Sequence, residues 1–248
     1  MHNFIKENKC LKLKKSILIT IGVILGCILI FSLGKIYFWQ KDYQKTNEII
    51  NEVLILRDQN KVDFKDLKSK NPDSVAWLSV AGTEINYPVV QTKDNNYYLK
   101  HSFDKSYNQA GWIFADYRNN MKNLDKNTII YGHAFLIKIM FGTLKNTLEQ
   151  DWYSNPDNHF VRLTTEDETT TWEVFSTYRI KTTDDYLAVS FNNDTEFNNF
   201  VDLVKNRSIH RFENIPNFSD KTITLSTCYN LSERVVVHAK LIEAHDNN

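Results

Sequence analysis

The sequence predicts a mainly β domain, an eight-stranded closed or nearly closed barrel, carried on one N-terminal transmembrane helix. Two observations carry the barrel. Short runs rich in β-branched and aromatic residues recur from residue 75 to residue 242 with Asn, Asp, Gly and Pro between them, and no series of long helices alternates with them. A third observation carries the helix: residues 16–34 hold no ionisable side chain other than the Cys27 thiol. With 248 residues, 42% of them hydrophobic, the chain can bury one good-sized core. Thirty basic residues balance thirty acidic ones, so no net field draws the whole protein onto nucleic acid, and none is expected as a partner.

In chain order, residues 1–15 form a basic segment in which Lys6, Lys9, Lys12, Lys14 and Lys15 face a single acid, Glu7. Residues 16–38 read as a transmembrane signal anchor. At about 1.5 Å per residue the apolar run matches the thickness of a bilayer core. No small-x-small cleavage site precedes Lys35, and Tyr37, Phe38 and Trp39 suit the far interface. The lysines are expected to stay in the cytoplasm and the rest of the chain to lie outside the cell. Residues 39–70 read as a helical juxtamembrane region, broken near Asn60, with Ile49, Ile50, Val53, Leu54, Leu56, Phe64 and Leu67 spaced as one face. Residues 71–248 hold the barrel, with strands expected at 75–80, 85–90, 112–115, 128–131, 160–163, 170–180, 223–227 and 234–242. Two helices interrupt them. One is expected at 141–150, the other at 194–207, capped by Asp194 and presenting Phe197, Phe200, Val201 and Val204 on one face.

Cys228 is the one cysteine in the exported part, so no intrachain disulfide partner exists for it there. It is either a small buried hydrophobe or a nucleophile. It ends the alternating run Thr222-Ile223-Thr224-Leu225-Ser226-Thr227, and Arg234 opens the next strand, so a turn between antiparallel neighbours would bring both to one rim. His133 likewise sits where a strand hands over to a loop. A thiol attacking an amide needs a base, an acid for the leaving amine and a donor for the oxyanion. Histidine suits the first two and arginine the third. Free cysteine titrates at ~8.5 and histidine at ~6.5, which leaves open a neutral pair or a thiolate-imidazolium pair. Each residue also has a plain reading: strand-end histidines are commonly satisfied surface groups, as His101, His159, His210, His238 and His245 are expected to be. A zinc site would ask for C-x-x-C or H-E-x-x-H spacing, and neither occurs, so no metal or cofactor is expected.

The motifs Asn71-Pro72-Asp73 with Trp77, Tyr87-Pro88-Val89-Val90-Gln91, Asp94-Asn95 with Tyr98-Leu99, Gly111 to Phe114 with Asp116-Tyr117-Arg118-Asn119, Ile130-Tyr131-Gly132-His133 with Met140-Phe141-Gly142, and Thr224-Leu225-Ser226-Thr227-Cys228 resemble the sortases, and within them class B. The resemblance covers most of residues 70–243. It implies the eight-stranded sortase barrel, extra N-terminal helices and a helix before the cysteine strand. It implies Cys228, His133 and Arg234 as catalytic residues and Asn95, Leu99, Tyr131, Thr182, Tyr186, Leu187 and Ser226 as substrate contacts. It further implies a cysteine transpeptidase that cleaves an Asn-Pro-x-Thr-type sorting signal of a surface protein after threonine. The acyl group would pass through a thioester to an amine of peptidoglycan or its lipid-linked precursor. Two positions depart from the class: Ala134-Phe135 stands where Asn-Met is frequent, and the segment between Cys228 and Arg234 is short. Pilus-building class C members look different, with an Asp-Pro-aromatic lid, and no Asp-Pro occurs here. Two other readings compete. An L,D-transpeptidase would have glycine before the cysteine and arginine two residues after it, where Thr227 and Asn230 stand; a non-catalytic surface-binding module would use Cys228 only for packing.

Overall fold

The computed structural model describes residues 2–58, 61–134, 139–228 and 232–247, with the side chains of residues 2–14, 58 and 228 outside that description. Helix α1 (His2–Leu54) contains a stretch long and apolar enough to cross a membrane, and none of that stretch is buried. Two of its hydroxyls are satisfied within the helix: Thr20 Oγ1 donates to the Ser16 carbonyl at 3.0 Å and Ser32 Oγ to that of Ile28 at 2.8 Å. An apolar surrounding requires this of them.

The chain divides into two compact units, Met1–Lys45 and Thr46–Asn248. In the second unit Ile49, Ile50 and Val53 are buried, and Asn108 Nδ2 donates to Thr46 Oγ1 at 2.7 Å with both residues fully buried. The amphipathic face expected after the anchor is present, but the helix stops at Leu54. A two-strand hairpin of β1 (Arg57–Asp58) and β2 (Lys61–Val62) follows, and α2 (Phe64–Lys70) starts where the Asp63 carboxylate accepts the Asp66 N–H at 2.9 Å. Asn60, where the break was expected, lies outside the described residues.

The remaining strands are β3 (Ser74–Val80), β4 (Asn86–Val90), β5 (Phe114–Ala115), β6 (Asn127–His133), β7 (Phe160–Thr164), β8 (Glu168–Lys181), β9 (Thr222–Cys228) and β10 (Glu233–Asp246). They close into the eight-stranded barrel that the sequence predicts, in the order β10-β8-β7-β3-β4-β5-β6-β9, with β4 and β5, and β6 and β9, paired in parallel. Closure removes the exposed sheet edges that short strands would otherwise present. The strand expected at 112–115 shrinks to two residues because the Trp112 N–H goes to the Tyr98 carbonyl at 2.9 Å instead of a strand neighbour.

The helix expected at 141–150 is instead a 3-10 turn, Leu144–Leu148, followed by one turn of α3 (Gln150–Tyr153). Phe141 N–H is committed to the His133 carbonyl at 3.0 Å, and the extended Glu149 (ψ 144°) separates the two turns. Helix α4 (Asp194–Arg207) spans the expected residues, but its cap is Asn193, not Asp194. Asn193 Oδ1 accepts the Glu196 N–H at 3.0 Å while the Glu196 carboxylate accepts the Asn192 N–H at 2.9 Å, a box-like pair of caps. The helix buries Phe197, Phe200, Val201 and Val204 against Phe175, Tyr178, Tyr186 and Val236.

Candidate active site

Strand β9 lies between parallel β6 and antiparallel β10. The registers set His133 opposite Cys228 and Cys228 opposite Arg234, so the three residues occupy one rung of three neighbouring strands. Strands are about 4.8 Å apart, which brings the three backbones within about 10 Å. The hairpin logic of the sequence accounts for Cys228 and Arg234. The parallel pairing of β6 with β9 adds His133.

His133 Nε2 stands 2.9 Å from the Leu99 carbonyl oxygen, which can only accept, so this nitrogen carries the proton and Nδ1 is the open one in the neutral ring. Burial lowers the pKa of His133; the Leu99 carbonyl opposes that shift and the Arg234 charge adds to it. Gly111 lies against this carbonyl with a φ of +61° that suits glycine, and a Cβ there would meet the Tyr98 oxygen at 2.5 Å, the Leu99 oxygen at 2.9 Å and His133 Cδ2 at 3.0 Å. Among the described residues, the Arg234 guanidinium donates to the Glu233 carbonyl at 3.1 Å and has no carboxylate partner, which leaves its charge available to a ligand.

Beside this rung opens a cleft of about 380 Å³. Arg234 lines it, and so do all seven residues that the resemblance assigns to substrate: Asn95, Leu99, Tyr131, Thr182, Tyr186, Leu187 and Ser226. They differ in what they offer. Tyr186 is buried, its hydroxyl 2.9 Å from Ser226 Oγ, so it braces the wall, and Leu187 also packs on the cluster beneath α4. Asn127, reaching out from β6, donates its backbone N–H to the Val189 carbonyl at 3.0 Å and its Nδ2 to that of Ala188 at 2.8 Å. The segment after β8 is thereby tied to the barrel.

One carboxylate behind the cleft was not singled out from the sequence, although its motif was. The Asp116 side chain is fully buried. Its Oδ2 accepts from Asn95 Nδ2 at 3.0 Å, Tyr131 Oη at 2.9 Å and Arg118 Nη2 at 2.7 Å, and its Oδ1 accepts from Arg118 Nε at 2.8 Å. Burial alone would raise its pKa, but the bonds from Arg118 and Tyr131 and the guanidinium charge outweigh that and hold the carboxyl below its ordinary value. The same environment raises the Tyr131 phenol, mainly through burial and then through the Asp116 charge, so its proton stays on.

A sortase domain matches residues 78–242. The chain is 34% identical over 213 residues to Sortase B of Staphylococcus aureus, covering 82% of this chain and 84% of that protein. The chain belongs to the class B sortases. Sortase B of Listeria monocytogenes is 37% identical over 185 residues, 73% of this chain and 74% of that one. The crystal structure of sortase B from Bacillus anthracis in complex with AAEK1 superposes with a TM-score of 0.75 at 33% identity, over 82% of this chain and 99% of that chain. The Staphylococcus aureus sortase B–substrate complex gives 0.68 at 33% identity, over 83% and 94%. A sortase B complexed with triglycine gives 0.70 at 33%, over 83% and 95%. This sortase is therefore a cysteine transpeptidase.

The other five histidines of the barrel domain are occupied elsewhere. His101 Nδ1 meets the Tyr97 carbonyl at 2.7 Å, His159 Nε2 that of Tyr153 at 2.8 Å, and His245 the carboxylate of Glu243 at 2.7 Å. His238 is enclosed between Tyr178 and Thr224, and His210 stacks on Tyr153 with ring centroids 4.4 Å apart. Phe135 and Asn230, which bear on the departures from class B and on the L,D-transpeptidase reading, lie outside the described residues.

Proposed function

We propose that this sortase is held in the membrane by its N-terminal helix, basic residues inside and barrel outside. There it cleaves an Asn-Pro-x-Thr-type sorting signal after threonine and transfers the surface protein to an amine of peptidoglycan or its lipid-linked precursor. In this reading His133 takes the proton of Cys228, and the sulfur attacks the threonine carbonyl carbon. The electron pair moves onto the oxygen, where Arg234 and a backbone N–H near Cys228 stabilise it. Collapse breaks the C–N bond, the leaving nitrogen takes the proton from His133, and a thioester remains on Cys228. The acceptor amine then attacks that carbon, gives its proton to His133, and the C–S bond breaks to return the thiolate. With Nε2 engaged by the Leu99 carbonyl, Nδ1 is the atom that shuttles the proton.

The observation that supports this reading most is the shared rung of His133, Cys228 and Arg234 beside a cleft lined by Asn95, Leu99, Tyr131, Thr182, Tyr186, Leu187 and Ser226. The sortase B structures solved with a substrate and with triglycine accord with a peptide substrate and an amine acceptor. The test is mass spectrometry of the full chain in detergent, wild type and Cys228→Ala, with Asn-Pro-x-Thr-x and Leu-Pro-x-Thr-x peptides. The expected result is a thioacyl adduct on Cys228 of the wild type, with release of the residues after threonine, and neither in the variant. Absence of an adduct from every peptide, while Cys228 still reacts with a small alkylating agent, would overturn the substrate class.

A further inference from the structure

We propose that Asp116 and Arg118 are positioning residues that set which hydrogen-bonding groups the cleft presents, so that it reads a carboxamide side chain in the first position of the sorting signal. The inference rests on the reading that this cleft takes an Asn-Pro-x-Thr peptide. Neither residue lines the cleft; both act through residues that do.

The derivation is an accounting of protons. Asp116 is ionised and accepts only. It takes the one hydroxyl proton of Tyr131, so the Oη of this cleft-lining residue has only lone pairs left to offer, as a fixed acceptor. It also takes one proton of Asn95 Nδ2, while Asn95 Oδ1 accepts the Tyr117 N–H at 3.0 Å. These two bonds fix the flip of the Asn95 amide and leave its second N–H as a fixed donor. One donor and one acceptor anchored on the same carboxylate oxygen complement the NH₂ and C=O of a carboxamide, and a leucine side chain would leave both unpaired. Sites built this way reject an apolar analogue strongly, because the polar groups lose water and gain nothing.

Arg118 has two tasks in this arrangement. Its Nε and Nη2 grip both oxygens of Asp116, which orients the carboxylate and keeps it charged. Its Nη2 also donates to the Leu187 carbonyl at 3.1 Å, which ties the opposite wall to the same carboxylate. The reading of the signal and the width of the cleft thus depend on one buried group.

The experiment compares kcat/KM for Asn-Pro-x-Thr and Leu-Pro-x-Thr peptides in the full chain, wild type against Asp116→Asn, Arg118→Lys and Tyr131→Phe. The wild type is expected to prefer the Asn peptide. In Asp116→Asn that preference falls by about tenfold or more, through KM more than kcat, while Cys228 alkylation by a small reagent proceeds at the wild-type rate. Arg118→Lys keeps the charge but not the two-pronged grip and falls between. Asp116→Asn combined with Tyr131→Phe loses more preference than Tyr131→Phe alone, because it also frees the Asn95 amide, but less than the sum of the two single losses, because the Tyr131 acceptor is common to both. Retained preference in Asp116→Asn or Arg118→Lys overturns the inference. Where those two variants do not fold, retained preference in Tyr131→Phe overturns it equally. A wild type that cleaves both peptides equally well refutes the inference while leaving the transpeptidation reading intact. A wild type that cleaves neither refutes both.

Discussion

His238 offers a direct measure of how the cleft wall depends on a buried neutral group. Thr224 Oγ1 donates its one proton to Asn127 Oδ1 at 2.8 Å, so the 2.9 Å contact with His238 must be Nδ1–H donating to the threonine oxygen. Nε2 then accepts from the Tyr178 hydroxyl at 3.0 Å. The ring is enclosed by Tyr178, Phe200, Phe175 and Tyr186 at centroid distances of 5.6, 5.7, 6.0 and 6.2 Å. Burial, with a smaller contribution from the charge of Arg207, pushes its pKa down to about 3. The unfolded chain takes up the proton at about pH 6.5, so below that pH the unfolded state binds a proton that the folded state refuses. The stabilisation is fully present above that pH and is lost as pH falls toward 3. At about 1.4 kcal/mol per pH unit, going from pH 6.5 to 4.5 costs about 2 kcal/mol, or roughly 4–8 °C of melting temperature for a unit of this size. His238→Gln removes the titrating group and lowers stability at pH 7.5. The assay is thermal unfolding of both proteins at pH 7.5, 6.5, 5.5 and 4.5, in which groups common to the two cancel. The gap in melting temperature should narrow steadily below pH 6.5. A gap that stays constant to pH 4.5 would refute the assignment of His238 as a buried neutral ring.

Two further substitutions test the backbone that carries the site. Gly111→Ala places a methyl 2.5 Å from the Tyr98 oxygen and 2.9 Å from that of Leu99, in a left-handed turn that disfavours side chains by about 1–2 kcal/mol. Displacing the Leu99 carbonyl releases His133, so transpeptidation should fall by at least about tenfold, with a smaller loss of melting temperature; unchanged activity would refute the role of that carbonyl. Asn108→Ala leaves Thr46 Oγ1 without this donor in a fully buried position and should cost about 1–3 kcal/mol, read as a lower denaturant midpoint in the full chain; an unchanged midpoint would mean that the contact contributes nothing.

The strands were legible because each is a local pattern. β8, β9 and β10 lie within a few residues of where alternation and β-branched content place them, and α4 lies where its apolar spacing sets it. What was not legible depends on partners far along the chain. Asn193 took the cap from Asp194 because Glu196 could answer it from three residues on. The parallel register of β6 on β9 joins residues about a hundred positions apart, and no periodicity reports it. The nearness of His133 to Cys228 therefore came from the resemblance, whereas that of Arg234 followed from the turn. Asp116 was visible only as one letter of a motif. Its meaning lies in Asn95, Arg118 and Tyr131, two of them on other segments, and a buried carboxylate discloses its work only once its donors are assembled.

The two walls of the cleft are secured by opposite electrostatic means. On one side Asp116 is charged, and its pKa, lowered by Arg118 and Tyr131 against the effect of burial, keeps the Asn95 and Tyr131 contacts intact to lower pH than an ordinary carboxyl would. On the other side His238 is neutral, and its low pKa means that acid works against the Tyr178 and Thr224 contacts that underlie Tyr186 and Ser226. Both shifts keep the deprotonated form in the folded state, so both contributions are lost in acid; that of His238 begins to fall below about pH 6.5 and that of Asp116 only below about pH 4, where the unfolded groups take up their protons. As pH falls, the stabilisation from His238 is therefore drawn down before that from Asp116. Stability and selectivity in this sortase thus rest on separate buried groups.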